Sequence, residues 1–82
     1  MADLTAQQWG EIEAVLSDGF IEVQSINRRH TAYGLKQKFS REHFYVTQEQ
    51  FTEAMRRVGF RVGLLDDGNA CFNIGERSPY FK

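Results

Sequence analysis

YVTQEQFTEAMRRVGFRVGLLDDGNACFNI, Tyr45 to Ile74, carries the strongest structural signals in the chain. Thr47-Gln48-Glu49-Gln50 has the form of a capping box, in which a hydroxyl and a side-chain amide satisfy the free N–H groups of a helix start reciprocally. Phe51, Ala54, Met55 and Val58 then recur at i, i+3, i+4 and i+7, so one face of that helix is apolar. The opposite face carries Glu49, Thr52, Glu53, Arg56 and Arg57, and Glu53 stands four residues before Arg57 in the order that favours pairing. Gly59 ends the helix. Phe60 to Leu65 and Ala70 to Ile74 are β-prone, and Asp66-Asp67-Gly68-Asn69 between them supplies turn chemistry, with Gly68 free to take positive φ. The stretch predicts a helix followed by a two-stranded hairpin.

Upstream, Thr5-Ala6-Gln7-Gln8 is a second capping box and opens a first helix. Trp9, Ile12, Val15 and Leu16 form its apolar stripe, and Gly19 is placed to end it as a left-handed residue. A helix this short needs tertiary packing, so the stripe reads as core. Phe20-Ile21-Glu22-Val23 reads as a short first strand, Gln24 to Asn27 as a polar connection, and Arg28-Arg29-His30 as a basic turn. Thr31 caps a second helix from Ala32 to about Phe39, with Gly34 marking a close helix contact. Ser40 to His43 is a polar connector and Phe44-Tyr45-Val46 an extended, buried link. The tail from Gly75 to Lys82 is polar and loose, with Tyr80 and Phe81 able to fold back. The whole, residues 1–82, reads as a single α+β domain.

Composition bounds what such a domain can be. At 82 residues the core is small. Seven Phe, three Tyr and one Trp are too many for a chain that stays disordered. The single cysteine, Cys71, excludes an internal disulfide framework and a cysteine-based zinc site. No apolar run has the length to span a membrane, and MADLTAQQW lacks the layout of a signal peptide, so a cytoplasmic protein is expected. Net charge is −1, yet all ten Lys and Arg residues follow residue 25, while Asp3, Glu11, Glu13, Asp18 and Glu22 precede it. An acidic first segment is thus joined to a mildly basic body.

Catalytic readings find little support. His30 and His43 have no carboxylate or cysteine at metal-ligand spacing, and Ser17, Ser25 and Ser40 lack the context of an activated nucleophile. The glycines are dispersed, so no loop cradles a phosphate. No nucleophile, base and oxyanion donor can be assembled. No enzyme activity, metal or cofactor is expected.

Helix, short strand, helix, helix and hairpin is the element order of the winged helix-turn-helix, which this chain resembles over most of its length. Its connection between the second and third helices is longer than the usual tight turn. A second resemblance rests on Thr31-Ala-Tyr-Gly-Leu-Lys36, Tyr45-Val-Thr47, Gln50-Phe-x-x-Ala-Met55, Gly59-Phe60 and Asn69-Ala-Cys-Phe-Asn-Ile74. This pattern is similar to a group of small proteins encoded by phages and mobile elements. It implies a phage or prophage origin, in a bacterial host cell, and one of two trades: transcriptional control or inhibition of host machinery.

Two functions follow as expectations. As a transcriptional or accessory factor, the protein would set Gln48, Thr52 and Arg56 of the third helix, with Arg57 beside them, against base edges in the major groove of DNA. Arg28, Arg29, Lys36 and Lys38 would hold phosphates, and Arg61 and Asn69 would act from the wing. As an inhibitor of a host nucleic-acid enzyme or defence system, it would bind protein instead, using the acidic first helix and the mixed charge of the third. Pairing into a homodimer would suit either reading by doubling the contact area.

Overall fold

The computed structural model describes residues 3–65 and 68–81. It is an α+β structure of three helices and one three-stranded antiparallel sheet. In chain order these are α1 (Ala6–Gly19), β1 (Glu22–Thr31), α2 (Ala32–Glu42), α3 (Gln48–Val58), β2 (Val62–Leu64) and β3 (Ala70–Ile74), followed by a 3₁₀ turn, Pro79–Phe81. The sheet order is β1-β3-β2, so the last strand lies in the middle and is antiparallel to both neighbours.

Both capping boxes form. Thr5 accepts from the Gln8 amide while the Gln8 side chain accepts from Thr5 N–H, and Thr47 and Gln50 repeat the arrangement at the start of α3. Thr31 caps α2 by accepting from Gly34 N–H. The apolar faces so fixed meet in one core. Ile12 and Leu16 of α1, Leu35 and Phe39 of α2, Phe51, Ala54 and Met55 of α3, and Phe72 and Ile74 of β3 are all buried there. α1 packs on α3, and α2 packs on α3 and on the sheet. Gly59 adopts φ +112°, the left-handed cap expected of it, and its N–H closes on the Met55 and Arg56 carbonyls.

Four expectations are corrected. The first strand is not a short run at Phe20 to Val23; β1 extends through the polar connection and the basic cluster to Thr31. It is an edge strand with two irregularities. Glu22 faces Ile74, Asn27 faces Phe72 and Thr31 faces Cys71, so β1 spends extra residues at each step. Such bulges break the alternation that marks a strand in sequence. The ladder is completed by a side chain, for Asn27 Nδ2 donates to the Ile74 carbonyl at 3.1 Å.

Through Phe81 the tail is not loose, and Tyr80 and Phe81 fold back onto Phe20, the alternative the sequence allowed. Ser78 is fully buried; its Oγ accepts from Ile21 N–H at 2.9 Å and donates to the Gly75 carbonyl at 2.6 Å. Tyr80 stacks on Phe20 at 4.4 Å between ring centroids, and its hydroxyl donates to the Leu35 carbonyl at 2.8 Å. Neither Gly19 nor Gly34 plays the expected part. Gly19 has no positive φ; a Cβ there would stand 3.2 Å from the Tyr80 ring, so it makes room for the tail. Gly34 meets nothing nearer than the Thr31 hydroxyl at 4.0 Å, so no helix packs close upon it.

Lesser differences remain. α2 runs on to Glu42, β2 is confined to Val62–Leu64, and Tyr45 is exposed rather than buried. Gly68 takes φ +88° as the hairpin turn requires, while Asp66 and Asp67 lie outside the described residues.

The joint between the sheet edges is Asn73, fully buried in β3. Its Oδ1 accepts from Arg61 N–H at 2.7 Å, and its Nδ2 donates to the Val23 carbonyl at 3.0 Å and to Glu22 Oε2 at 3.3 Å. One amide thereby fixes both the approach to β2 and the start of β1.

Candidate nucleic-acid interface

α3 is held to the core by Phe51, Ala54 and Met55, which leaves its polar face outward beside the hairpin. Gln48, Thr52 and Arg56 lie one helical turn apart along the edge nearest β2 and β3. Together with Glu49 and the hairpin residues Leu64, Gly68 and Ala70 they line a shallow groove of about 270 Å³. Gln48 Nε2 donates to Asn69 Oδ1 at 3.3 Å, tying the helix start to the hairpin. Thr52 donates its hydroxyl proton to the Gln48 carbonyl at 2.9 Å, so its oxygen lone pairs remain for an acceptor role. Arg56 is exposed and has no ion pair among the described residues. Gln48, Thr52, Arg56 and Asn69 are therefore brought together.

The mixed charge of α3 has a local cause. Glu49 sits in the first turn and Arg56 and Arg57 in the last, the arrangement that complements a helix macrodipole.

The other expected contacts are dispersed. Arg57 faces α1: its guanidinium lies over the Trp9 ring at 3.9 Å, bonds Glu53 at 3.2 Å and approaches Glu13 at 3.6 Å. It fastens α3 to α1. Arg61 donates to the Gln24 carbonyl of β1, on the sheet rather than on the hairpin tip. Lys38 pairs with Glu42 at 3.3 Å and lies 5.5 Å from the Tyr80 ring. Arg29 approaches Glu76 at 3.6 Å, and Arg28 is exposed on β1.

Lys36 is flanked by Tyr33 and Tyr45, its ammonium 5.4 and 5.1 Å from the two ring centroids, within cation–π range. Tyr33 is 52% and Tyr45 66% exposed, although aromatic rings are usually covered. Leu64, 73% exposed on β2, is a third large apolar side chain left to solvent. Sequence reasoning did not single out Tyr33, Tyr45 or Leu64: Tyr45 was read as part of a buried link and Leu64 as part of a β-prone run, while Tyr33 stands off the face that Ala32, Leu35 and Phe39 bury, which was the available signal.

Among the described residues no group of three His, Cys, Asp or Glu could hold a metal ion, and Cys71 is buried. No described helix is long and apolar enough to cross a membrane. No family model, curated protein or solved structure matches the chain.

Proposed function

We propose that the chain is a winged-helix module that binds duplex DNA without catalysis, as a transcriptional or accessory factor of phage or prophage type. Support at the level of fold comes from the element order, helix, strand, helix, helix, strand, strand, combined with the strand order β1-β3-β2. That arrangement sets a β2–β3 hairpin beside α3, as a wing stands beside a recognition helix.

The observation that carries the DNA reading is the α3–hairpin groove, where Gln48, Thr52 and Arg56, which has no ion pair among the described residues, share one edge. Arg and Gln present the paired donors and acceptors that base edges in a major groove match, and Glu49 is suited to accept from a cytosine amino group. Lys36 then serves a flanking phosphate. A mobility-shift titration at low salt tests the reading, because electrostatic attraction to DNA is strongest there. A retarded complex that weakens as salt rises is expected. No complex with any duplex at low salt would sink the proposal.

Exposed Tyr33, Tyr45 and Leu64 favour a second reading, an inhibitor that binds a host protein through aromatic anchors. A stoichiometric protein recovered from host lysate, lost on Tyr45→Ala, would move the assignment there.

A further inference from the structure

α2 carries two separate polar flanks. Lys36 and Lys38 are two residues apart and so project about 200° from one another around the helix. The Lys36 flank adjoins Tyr45, whereas the Lys38 flank, with Gly34 and Arg41, faces β1 and the tail. Between these last elements lies a second groove of about 330 Å³, at the small end of the about 300–1,000 Å³ typical of ligand sites. Four basic side chains line it: Arg29 and His30 from β1, Lys38 and Arg41 from α2. No carboxylate lines it among the described residues.

Three features make this more than a solvated basic patch. Lys38 keeps only 30% of its side-chain area exposed, so its field is less screened than that of a surface cation, and His30, at 32%, is similarly enclosed. The His30 ring is fixed by stacking on Phe81 at 4.1 Å. Two of the lining side chains, Arg29 and His30, already converge on an oxyanion outside the groove. The Glu76 carboxylate accepts from Asn27 Nδ2 at 2.5 Å, lies 3.1 Å from His30 Nε2 and 3.6 Å from Arg29. These contacts, the Asn27 hydrogen bond foremost, hold its pKa below the ordinary value. Glu76 answers Arg29 and His30, and Glu42 answers Lys38, while Arg41 has no ion pair among the described residues. The groove therefore keeps an uncompensated positive charge next to a place where donors already converge on oxygen.

We propose that this groove binds a phosphate group, with Arg41 and Lys38 as its principal contacts, separately from the α3–hairpin face. The phosphate belongs to a free nucleotide or to the end of a nucleic-acid strand. The chemistry is shared: a compact oxyanion takes charge-assisted hydrogen bonds from guanidinium and ammonium.

The test is an NMR titration of the whole protein with inorganic phosphate, against sodium chloride at matched ionic strength. Expected are saturable shifts at Gly34, Arg41, His30 and Phe81 with phosphate and not with chloride. Arg41→Gln, on an exposed position, should weaken binding about tenfold, as loss of one charge-assisted bond implies. Lys38→Gln should weaken it as well, with circular dichroism confirming that the fold survives. A 5′-phosphorylated oligonucleotide that binds more tightly than its dephosphorylated twin assigns the strand end; equal binding of phosphate and a mononucleotide, with no gain from the strand, assigns the free ligand. Shifts that fail to saturate, equal those with chloride, or persist unchanged in Arg41→Gln overturn the inference. Arg56→Ala should leave the phosphate titration untouched, so failure of the DNA reading and failure of this site are told apart.

Discussion

Replacing Asn73 with Ala removes an amide that makes three hydrogen bonds inside the sheet. Two of its partners are backbone groups, Arg61 N–H and the Val23 carbonyl, which a methyl group leaves without that partner. A typical hydrogen bond nets about 1 kcal/mol, and a buried polar group left unmade costs about 1–3 kcal/mol, so the expected loss is about 2–4 kcal/mol. For a chain of this length that is a large part of a total near 4–12 kcal/mol. In a small domain it corresponds to a fall in Tm of about 10–25 °C. Urea unfolding followed by circular dichroism reads the loss directly. Asn73→Asp should be no milder near neutral pH, because it keeps the acceptor for Arg61 N–H but sets a carboxylate beside Glu22 and loses the donor to Val23. A loss below about 1 kcal/mol in Asn73→Ala would refute the argument, since it would mean that these groups find equivalent partners without the amide.

Other consequences are as direct. Gly59→Ala forces a Cβ into φ +112° and should cost about 1–2 kcal/mol, read as a lower denaturation midpoint. Burial, ahead of the Glu42 charge, pushes the Tyr80 hydroxyl above its ordinary pKa of 10. The folded state holds that proton more tightly than the unfolded chain, so the stability it contributes is intact below pH 10 and drains away as pH rises beyond it. Tyr80→Phe should cost about 0.5–1.5 kcal/mol at neutral pH for the lost bond to Leu35, and should flatten the alkaline decline seen by circular dichroism. Arg57→Ala should lower stability by about 1 kcal/mol through the lost Trp9 and glutamate contacts. A DNA titration should show for it no loss comparable to that of Arg56→Ala.

What could be read from the chain depended on how local the cause was. Both capping boxes, the Phe51-Ala54-Met55-Val58 stripe and the Gly59 cap are settled within a few residues, and each formed as read. β1 was cut short because Gln24 to His30 alternate in neither polarity nor burial. A bulged edge strand whose partners lie 40 to 52 residues away leaves no local trace. The tail was read as loose for the same reason, since Ser78 and Tyr80 are held by Ile21, Phe20 and Leu35, although the fold-back allowed for Tyr80 and Phe81 did form. At the candidate site, helical spacing was enough to group Gln48, Thr52 and Arg56. It could not reveal that Arg57, one residue on, turns to Trp9, because that depends on how α1 crosses α3.

On the proposed reading, the outward edge of α3 beside the hairpin meets DNA. Fluorescence anisotropy with a duplex at low salt, comparing the native protein with Arg56→Ala, decides the matter. Salt-sensitive binding by the native protein is expected, with a loss of about tenfold or more in Arg56→Ala, the scale of one base-edge or charge-assisted contact. Indistinguishable titrations for the two proteins, or no binding by either, would contradict it.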